Sequence, residues 1–277
     1  MSRQAFLILT HKPIPHILKY ADLYPDVDFY IHFDMKVEVN DLFDKKSLRK
    51  NTFILPDDMR VDVRWAGFSM VLAMINLLRF ATELSRSDYF HFVSADDMLF
   101  IENCREKIDH KKIYIEYKES IKHRYRLRFN TFHADKKWQT SFFGKVYTFL
   151  LKALDRLTPW HHKINSLFGS QWFSISKEDA ITVLSSITID DINFFRRKLC
   201  PDEHFFQYII KKANLQAKVS PQGNLRYIIF DKKYKNGRSP LVITYNDLPK
   251  NLHTSIISSR KFEADEILHY LSKRKSN

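Results

Sequence analysis

The chain has 277 residues, enough for one large domain or two small ones with a proper core. Only five glycines and nine prolines, 44% hydrophobic and 14% aromatic content, and no low-complexity run or internal repeat exclude a disordered or solenoid protein. The 45 Lys+Arg against 32 Asp+Glu leave +13, a charge suited to nucleic acid, an anionic membrane surface or a phosphorylated substrate.

The N-terminal "MSRQAFLILTHKP" holds an apolar run too short for a signal peptide, and "AFLILT" reads as a strand buried on both faces. "HILKYADLY" has helical spacing, "DFYIHFD" is a second strand ending in Asp34, and "TFILP" a short third. Trp65 to Leu84 reads as a long helix with Phe68, Leu72, Ile75, Leu78 and Phe80 on a broad apolar face. Asn76 and Arg79 interrupt that stretch and argue against a membrane span. "DYFHFVSADD" is a strand running into an acidic turn. This alternation predicts a Rossmann-like α/β half over about residues 1–110, with ligands beyond the carboxyl ends of the strands.

The second half, about 111–277, is more mixed, and no polar linker divides it from the first, so one domain is expected. "KIYIEY" reads as a strand, followed by the basic "IKHRYRLRF". "FFGKVYTFLLKALDRL" is an amphipathic basic helix, expected to pack on the core, with membrane-surface docking as the alternative. "GSQWFSIS" is a strand, and Ser176 with Asp179 forms a capping box for the helix that follows. Another helix starts at Pro201, "LRYIIF" is a strand, and "EADEILHYLSKRKSN" a closing helix. Cys104 and Cys200 read as ordinary thiols in a reducing compartment, one long-range disulfide being the alternative.

Gly-rich phosphate loops, GxSxG and HExxH are absent, which leaves nucleotide hydrolase, esterase and zincin readings unsupported. His161–His162 and Glu203–His204 lack partners at metal spacing. "CPDEHFFQYII" admits two readings. Asp202 and Glu203 complement a helix dipole behind Pro201, or Glu203 is a general base kept ionised by backbone N–H groups.

Six islands in order, from about Ala5 to Phe262, resemble the core-2/I-branching β-1,6-N-acetylglucosaminyltransferase family, which includes the peptide xylosyltransferases and many bacterial members. "AFLILTHKP" and "DVDFYIHFDMK" are similar to its first strands with the His-x-Asp ending, and "VRWAGFSMVLAMINLL" to its Trp-Gly-Gly-x-Ser helix start. "YFHFVSADDMLF" resembles Leu-Ser-Gly-x-Asp-x-Pro, "GSQWFSISKEDA" the Gly-Ser-Gln-Trp segment, and "CPDEHFFQYII" the Pro-Asp-Glu motif. "GRSPLVITYNDLPKNLHTSIISSRKF" resembles the closing Ala-Arg-Lys-Phe island. Ala66 departs from one motif glycine, Asp96 from a neutral residue and Leu99 from a frequent proline, while about Phe129 to Leu167 resembles nothing placed.

The resemblance implies a GT-A-like α/β domain and an inverting transfer from a UDP-sugar to a glycan or glycolipid hydroxyl. N-acetylglucosamine is the first choice of sugar, with xylose and glucuronic acid as alternatives. Glu203 is then the base, and Arg238 and Lys261 hold the diphosphate, with Arg260 a third charge. His11, Asp34 and Asp97 become nucleotide-sugar contacts; Glu116, Arg124 and Trp172 become acceptor contacts, and Asp202 caps or orients. Metal independence is expected, with Mg²⁺ or Mn²⁺ on Asp96 and Asp97 as the alternative. The expected setting is cytoplasmic, peripheral on an anionic inner membrane, in lipo-oligosaccharide or capsule synthesis. The rival classes are a basic nucleic-acid-binding protein and a catalytically dead sugar binder. The first is disfavoured because the aromatics sit inside apolar strand and helix patterns, the second because Glu203, Arg238 and Lys261 are intact.

Overall fold

A computed structural model describes residues 3–158, 166–230, 240–249, 252 and 256–274. In chain order the first half runs β1 (Gln4–Thr10), α1 (Pro15–Leu23), β2 (Asp28–Phe33), α2 (Val39–Leu42), β3 (Thr52–Ile54), α3 (Phe68–Leu84), β4 (Tyr89–Ser94), β5 (Asp97–Leu99) and α4 (Ile101–Glu106). The second runs β6 (Lys118–Glu119), α5 (Arg124–Arg128), α6 (Phe142–Leu157), β7 (Leu167–Phe168), β8 (Ser174–Ser176), α7 (Lys177–Ser186), α8 (Ile189–Phe195), α9 (Phe205–Lys212), β9 (Arg226–Ile228), β10 (Ser258–Arg260) and α10 (Ala264–Arg274).

Continuous apolar runs can be strands only where both faces are covered, and β1 and β2 are buried at every position. Strand alternation divides β1 cleanly. Ala5, Leu7 and Leu9 join Tyr30, Phe90 and Phe92 in a core with α3, α7 and α9. Phe6 and Ile8 join Phe29, Ile31 and Val93 in a second core under α1 and α10. The main sheet has the order β3-β2-β1-β4-β8, parallel except for β8, which runs antiparallel to β4. This mixed α/β sandwich with a parallel sheet is the GT-A-like arrangement expected. A smaller sheet, β5-β10-β9, sets the C-terminal strand β10 against the turn that leaves β4.

Several local expectations change. The long helix begins at Phe68, because Ala66 turns the chain at a left-handed φ of 56°. Asp135 then caps it from afar, its Oδ2 accepting from Ser69 N at 3.0 Å. Among the described residues "KIYIEY" forms two isolated bridges, Ile113 to Val219 and Tyr114 to Ser174, and no strand, although its centre is fully buried. Ser176 does cap α7 by accepting from Asp179 N, but the Asp179 carboxylate turns to Lys218 Nζ at 2.6 Å, so the box is half formed. Pro201–Glu203 is a single 3-10 turn, and the helix proper starts at Phe205. Core packing fails for α6, whose only buried side chains are at Leu151 and Asp155. Both cysteines are free thiols.

Candidate active site

The main sheet reverses its order at β1, with β2 and β3 on one side and β4 on the other. Open parallel sheets hold ligands at such a switch point, beyond the carboxyl ends of the strands. A cavity of about 800 Å³ opens there, lined at the strand ends by Thr10, His11, Asp34, Ser94 and Asp96. From the second half it gathers Glu116, Arg126, Trp172, Glu203, Arg226, Arg260 and Lys261.

Two long-range joints bring these walls together. The first is backbone: Cys200, at φ 48°, donates its N–H to Ala66 O at 3.2 Å, tying the Trp-Ala-Gly turn to Pro201–Glu203. Gly169 N donates to Glu203 O at 3.0 Å, and Ser170 N to Glu116 Oε2 at 2.9 Å. A side chain at Gly169 would collide with the Glu116 carbonyl, so this close approach requires glycine. The buried Gln207 of α9 stitches the same loop, donating to Glu116 O and Ser170 O at 3.3 and 3.2 Å. The second joint is β10, which pairs Arg260 with Asp97 in register and so lays Arg260 and Lys261 over the acidic turn.

The Glu203 side chain is 34% exposed and ion-paired with the Arg126 guanidinium, which also lies over the Phe168 ring. A guanidinium, not the backbone N–H groups expected, therefore balances this carboxylate. Asp202 is no cap: it is buried, and among the described residues its Oδ1 has no hydrogen-bond partner. Burial first, then the neighbouring Glu203, pushes Asp202 up to about 7. His204 is structural, buried and bonded through Nδ1 to Leu167 O at 2.6 Å. Burial, with Arg126 nearby, pushes it down to about 3.

The two aspartates of the acidic turn separate. Asp96 lines the cavity and sits between Lys12 Nζ at 2.9 Å and Lys261 Nζ at 3.3 Å. Burial opposes its charge, but those two ammonium groups hold it below the ordinary carboxylate range. Asp97 is fully buried beneath the site and does not line the cavity. It faces Arg260 Nε at 3.5 Å, and burial pushes it up to about 6 against that cation. The Arg260 guanidinium lies 4.9 Å from the centre of the Trp172 ring, so the indole is 7% exposed and already covered by a cation.

Of the remaining residues singled out in the sequence, His11 is exposed at the cavity, and Asp34 accepts from Lys36 N and pairs with Lys36 Nζ, each at 3.0 Å. His32 of the same strand end is buried, pushed down to about 4 by burial, and accepts from Val61 N at 3.0 Å. Arg124 does not reach the cavity; it binds Asp155 of α6 at 3.0 Å. Arg238 and His161–His162 lie outside the described residues. Among the described residues no three His, Cys, Asp or Glu side chains converge as metal ligands.

Three lining residues escaped the sequence reading. Arg126 sat unmarked in a run of basic residues. Arg226 is buried at the floor, donating to Phe92 O, Phe173 O and Ser174 Oγ at 2.8–2.9 Å. Trp65 lines the cavity with 61% of its surface exposed, and its place beside the Ala66 turn was the available signal. The arrangement offers a partly exposed carboxylate at Glu203, a set of fixed cations and an open indole within a single crevice. That is the equipment for activating a hydroxyl while stabilising an anionic leaving group.

A family model described as Branch: Core-2/I-Branching enzyme matches residues 4–255, covering both halves of the cavity up to the segment before β10. No curated protein matches. With that match running over most of its length, the chain belongs to the core-2/I-branching enzyme family, whose members are glycosyltransferases.

Proposed function

We propose that the protein transfers a sugar from a UDP-sugar to a glycan or glycolipid hydroxyl with inversion at the anomeric carbon. One observation carries the reading: Glu203, the accessible carboxylate of the Pro-Asp-Glu turn, lines the same crevice as Arg260 and Lys261. Inversion by direct displacement needs one base to take the acceptor proton and positive charge to stabilise the departing diphosphate. Glu203 takes the first role. Lys261 and Arg260 take the second, joined by Arg238 on the resemblance. His11 and Asp34, at the strand ends, contact the nucleotide sugar; Glu116 orients the acceptor-side loop, and the exposed Trp65 stacks on a sugar ring.

The leaving-group charge is met by side chains and not by a divalent ion. Asp96 is bonded to two ammonium groups and Asp97 is buried behind Arg260, which leaves the pair poorly arranged to grip a cation together. N-acetylglucosamine is the first-choice sugar, and a glycolipid at the inner face of an anionic membrane is the acceptor setting.

The test is UDP release from a panel of UDP-sugars with and without acceptor, in EDTA. Glu203→Gln should lower turnover by roughly 10²- to 10⁴-fold with UDP affinity unchanged. Glu203→Asp, which keeps the charge beside Arg126, should also lose most turnover while melting as the parent does. Near-parental turnover in both variants would remove Glu203 from the role of base.

A further inference from the structure

Helix α6 is inverted relative to a helix that packs on a core. Residues three and four apart share a helix face. The inward face carries Gly144, Leu151 and Asp155. Gly144 lies against the Trp138 and Gln139 carbonyls, where no side chain fits. Asp155 is held by Arg124 at 3.0 Å and by Arg128 at 3.1 Å. The opposite face is apolar and turned to solvent: Phe142 is 73% exposed, Phe143 75%, Phe149 68%, Leu150 57% and Leu157 82%. Exposed apolar side chains are ordinary singly, but a contiguous row along four turns marks a docking surface.

The charge around this row identifies what covers it. Lys145, Lys152 and Arg156 recur at spacings of seven and four, so they form one exposed stripe along the edge of the apolar face. Lys136 and Lys137, with the 40% exposed Trp138, continue the cationic edge through the turn before the helix. From residue 136 to 157 the one acidic residue is Asp155, and it points inward. A second copy of the chain meeting this face by two-fold symmetry would bring the same cationic segment to it, and residues 136–157 offer no outward carboxylate to pair with those cations. An anionic bilayer supplies both needs, acyl chains for the aromatic row and headgroup charge for the edge.

We propose that α6 is a membrane-docking helix that lies in the interface of an anionic bilayer with Phe142, Phe149, Leu150 and Leu157 inserted. Docking at that face sets the site close to the lipid. Arg124 and Arg128 of α5 grip α6, while Arg126 of the same short helix binds Glu203. The docked surface is therefore one helix away from the carboxylate, and a lipid-carried acceptor would enter beside it. The docking stands on the surface alone; the delivery of an acceptor rests on the transfer proposed above.

Flotation with vesicles tests docking without any turnover. The protein should float with phosphatidylcholine vesicles containing roughly a third phosphatidylglycerol, and far less with phosphatidylcholine alone, at low salt. Phe149→Glu with Leu150→Glu, both at exposed positions, should keep the melting temperature and lower the bound fraction about tenfold or more. Lys145→Glu with Lys152→Glu should abolish the preference for anionic vesicles. Unchanged flotation of the Phe149/Leu150 variant, equal binding to both vesicle types, or no flotation of the parent would overturn the proposal. So would a parent dimer in sedimentation that the Phe149/Leu150 variant converts to monomer, because the face would then belong to a second copy. UDP release on a soluble acceptor, measured beside flotation, separates loss of docking from loss of the transfer reading.

Discussion

Asp96 is the carboxylate whose removal should improve ligand binding. It bonds Lys12 Nζ at 2.9 Å and Lys261 Nζ at 3.3 Å, so the cation proposed to hold the diphosphate is shared with an acid. A phosphate seated on Lys261 would bring its negative charge to about 6 Å from the Asp96 carboxylate, where an effective dielectric constant of about 20 gives a repulsion of about 3 kcal/mol per charge pair. Lys12 stays bonded to the carboxylate and cancels roughly half of this, leaving about 1.4 kcal/mol, a factor of about ten in affinity. Asp96→Asn keeps the shape and an acceptor oxygen for Lys12 while removing the charge. Calorimetric titration of UDP in EDTA should show a dissociation constant about tenfold lower than the parent's, with the gain shrinking as salt rises. Weaker UDP binding in the variant, or parent binding that appears only with Mn²⁺ and vanishes in Asp96→Asn, would make Asp96 a metal ligand and refute the reasoning.

Two further predictions concern stability. The folded chain holds a proton on Asp202 up to about pH 7, whereas an unfolded Asp releases it near 3.8. Across that window the native state binds more protons than the unfolded one, so Asp202 makes stability fall as pH rises, by up to about 4 kcal/mol at about 1.4 kcal/mol per unit. Asp202→Asn should therefore flatten the denaturation midpoint between about pH 4 and 7 and be the more stable protein at pH 8; parallel curves for both proteins would show that Asp202 is charged throughout. Ala66 occupies a left-handed conformation that disfavours any side chain. Ala66→Gly should raise stability by about 1 kcal/mol, seen as about 2–4 °C in melting temperature, and a lower melting temperature would mean that the Ala66 methyl is worth more than the strain it causes.

Where local pattern and burial agree, the sequence was sufficient. "AFLILT" and "DFYIHF" are mostly apolar because both faces of the parallel sheet are covered, and both strands were legible for that reason. "KIYIEY" shows the same pattern, yet its neighbours Val219 and Ser174 meet it at single residues, so the run is buried without becoming a strand. Helix α6 misled for a related reason. Its amphipathic period states that one face is apolar, but period alone carries no information about which face the rest of the chain covers. Gly144 and Asp155, the small residue and the lone acid, mark the inward side, and they do so only once the Trp138 carbonyl and Arg124 are placed beside them.

The site divided along the same line. Glu203, Lys261, His11, Asp34 and Glu116 all reach one cavity, and residue type with position in a motif or at a strand end is enough to single them out. The acidic turn reads as an adjacent pair, yet adjacent residues of an extended chain point to opposite sides. Asp96 accordingly faces the cavity, and Asp97 faces the interior beneath Arg260. Arg126 lay deeper still. It stands in "IKHRYRLRF", where Arg124, Arg126 and Arg128 are chemically equivalent in sequence, and short-range spacing assigns them no partners. The fold does: α5 points Arg124 and Arg128 at Asp155 on α6 and Arg126 at Glu203, 77 residues away. In the proposed transfer, an acceptor hydroxyl reaching Glu203 must compete with Arg126 for the same carboxylate. The helix that sets the position of Arg126 is the one anchored to α6. The strength of that competition is thus decided by the packing of α5 on α6, through contacts that no motif in the chain records.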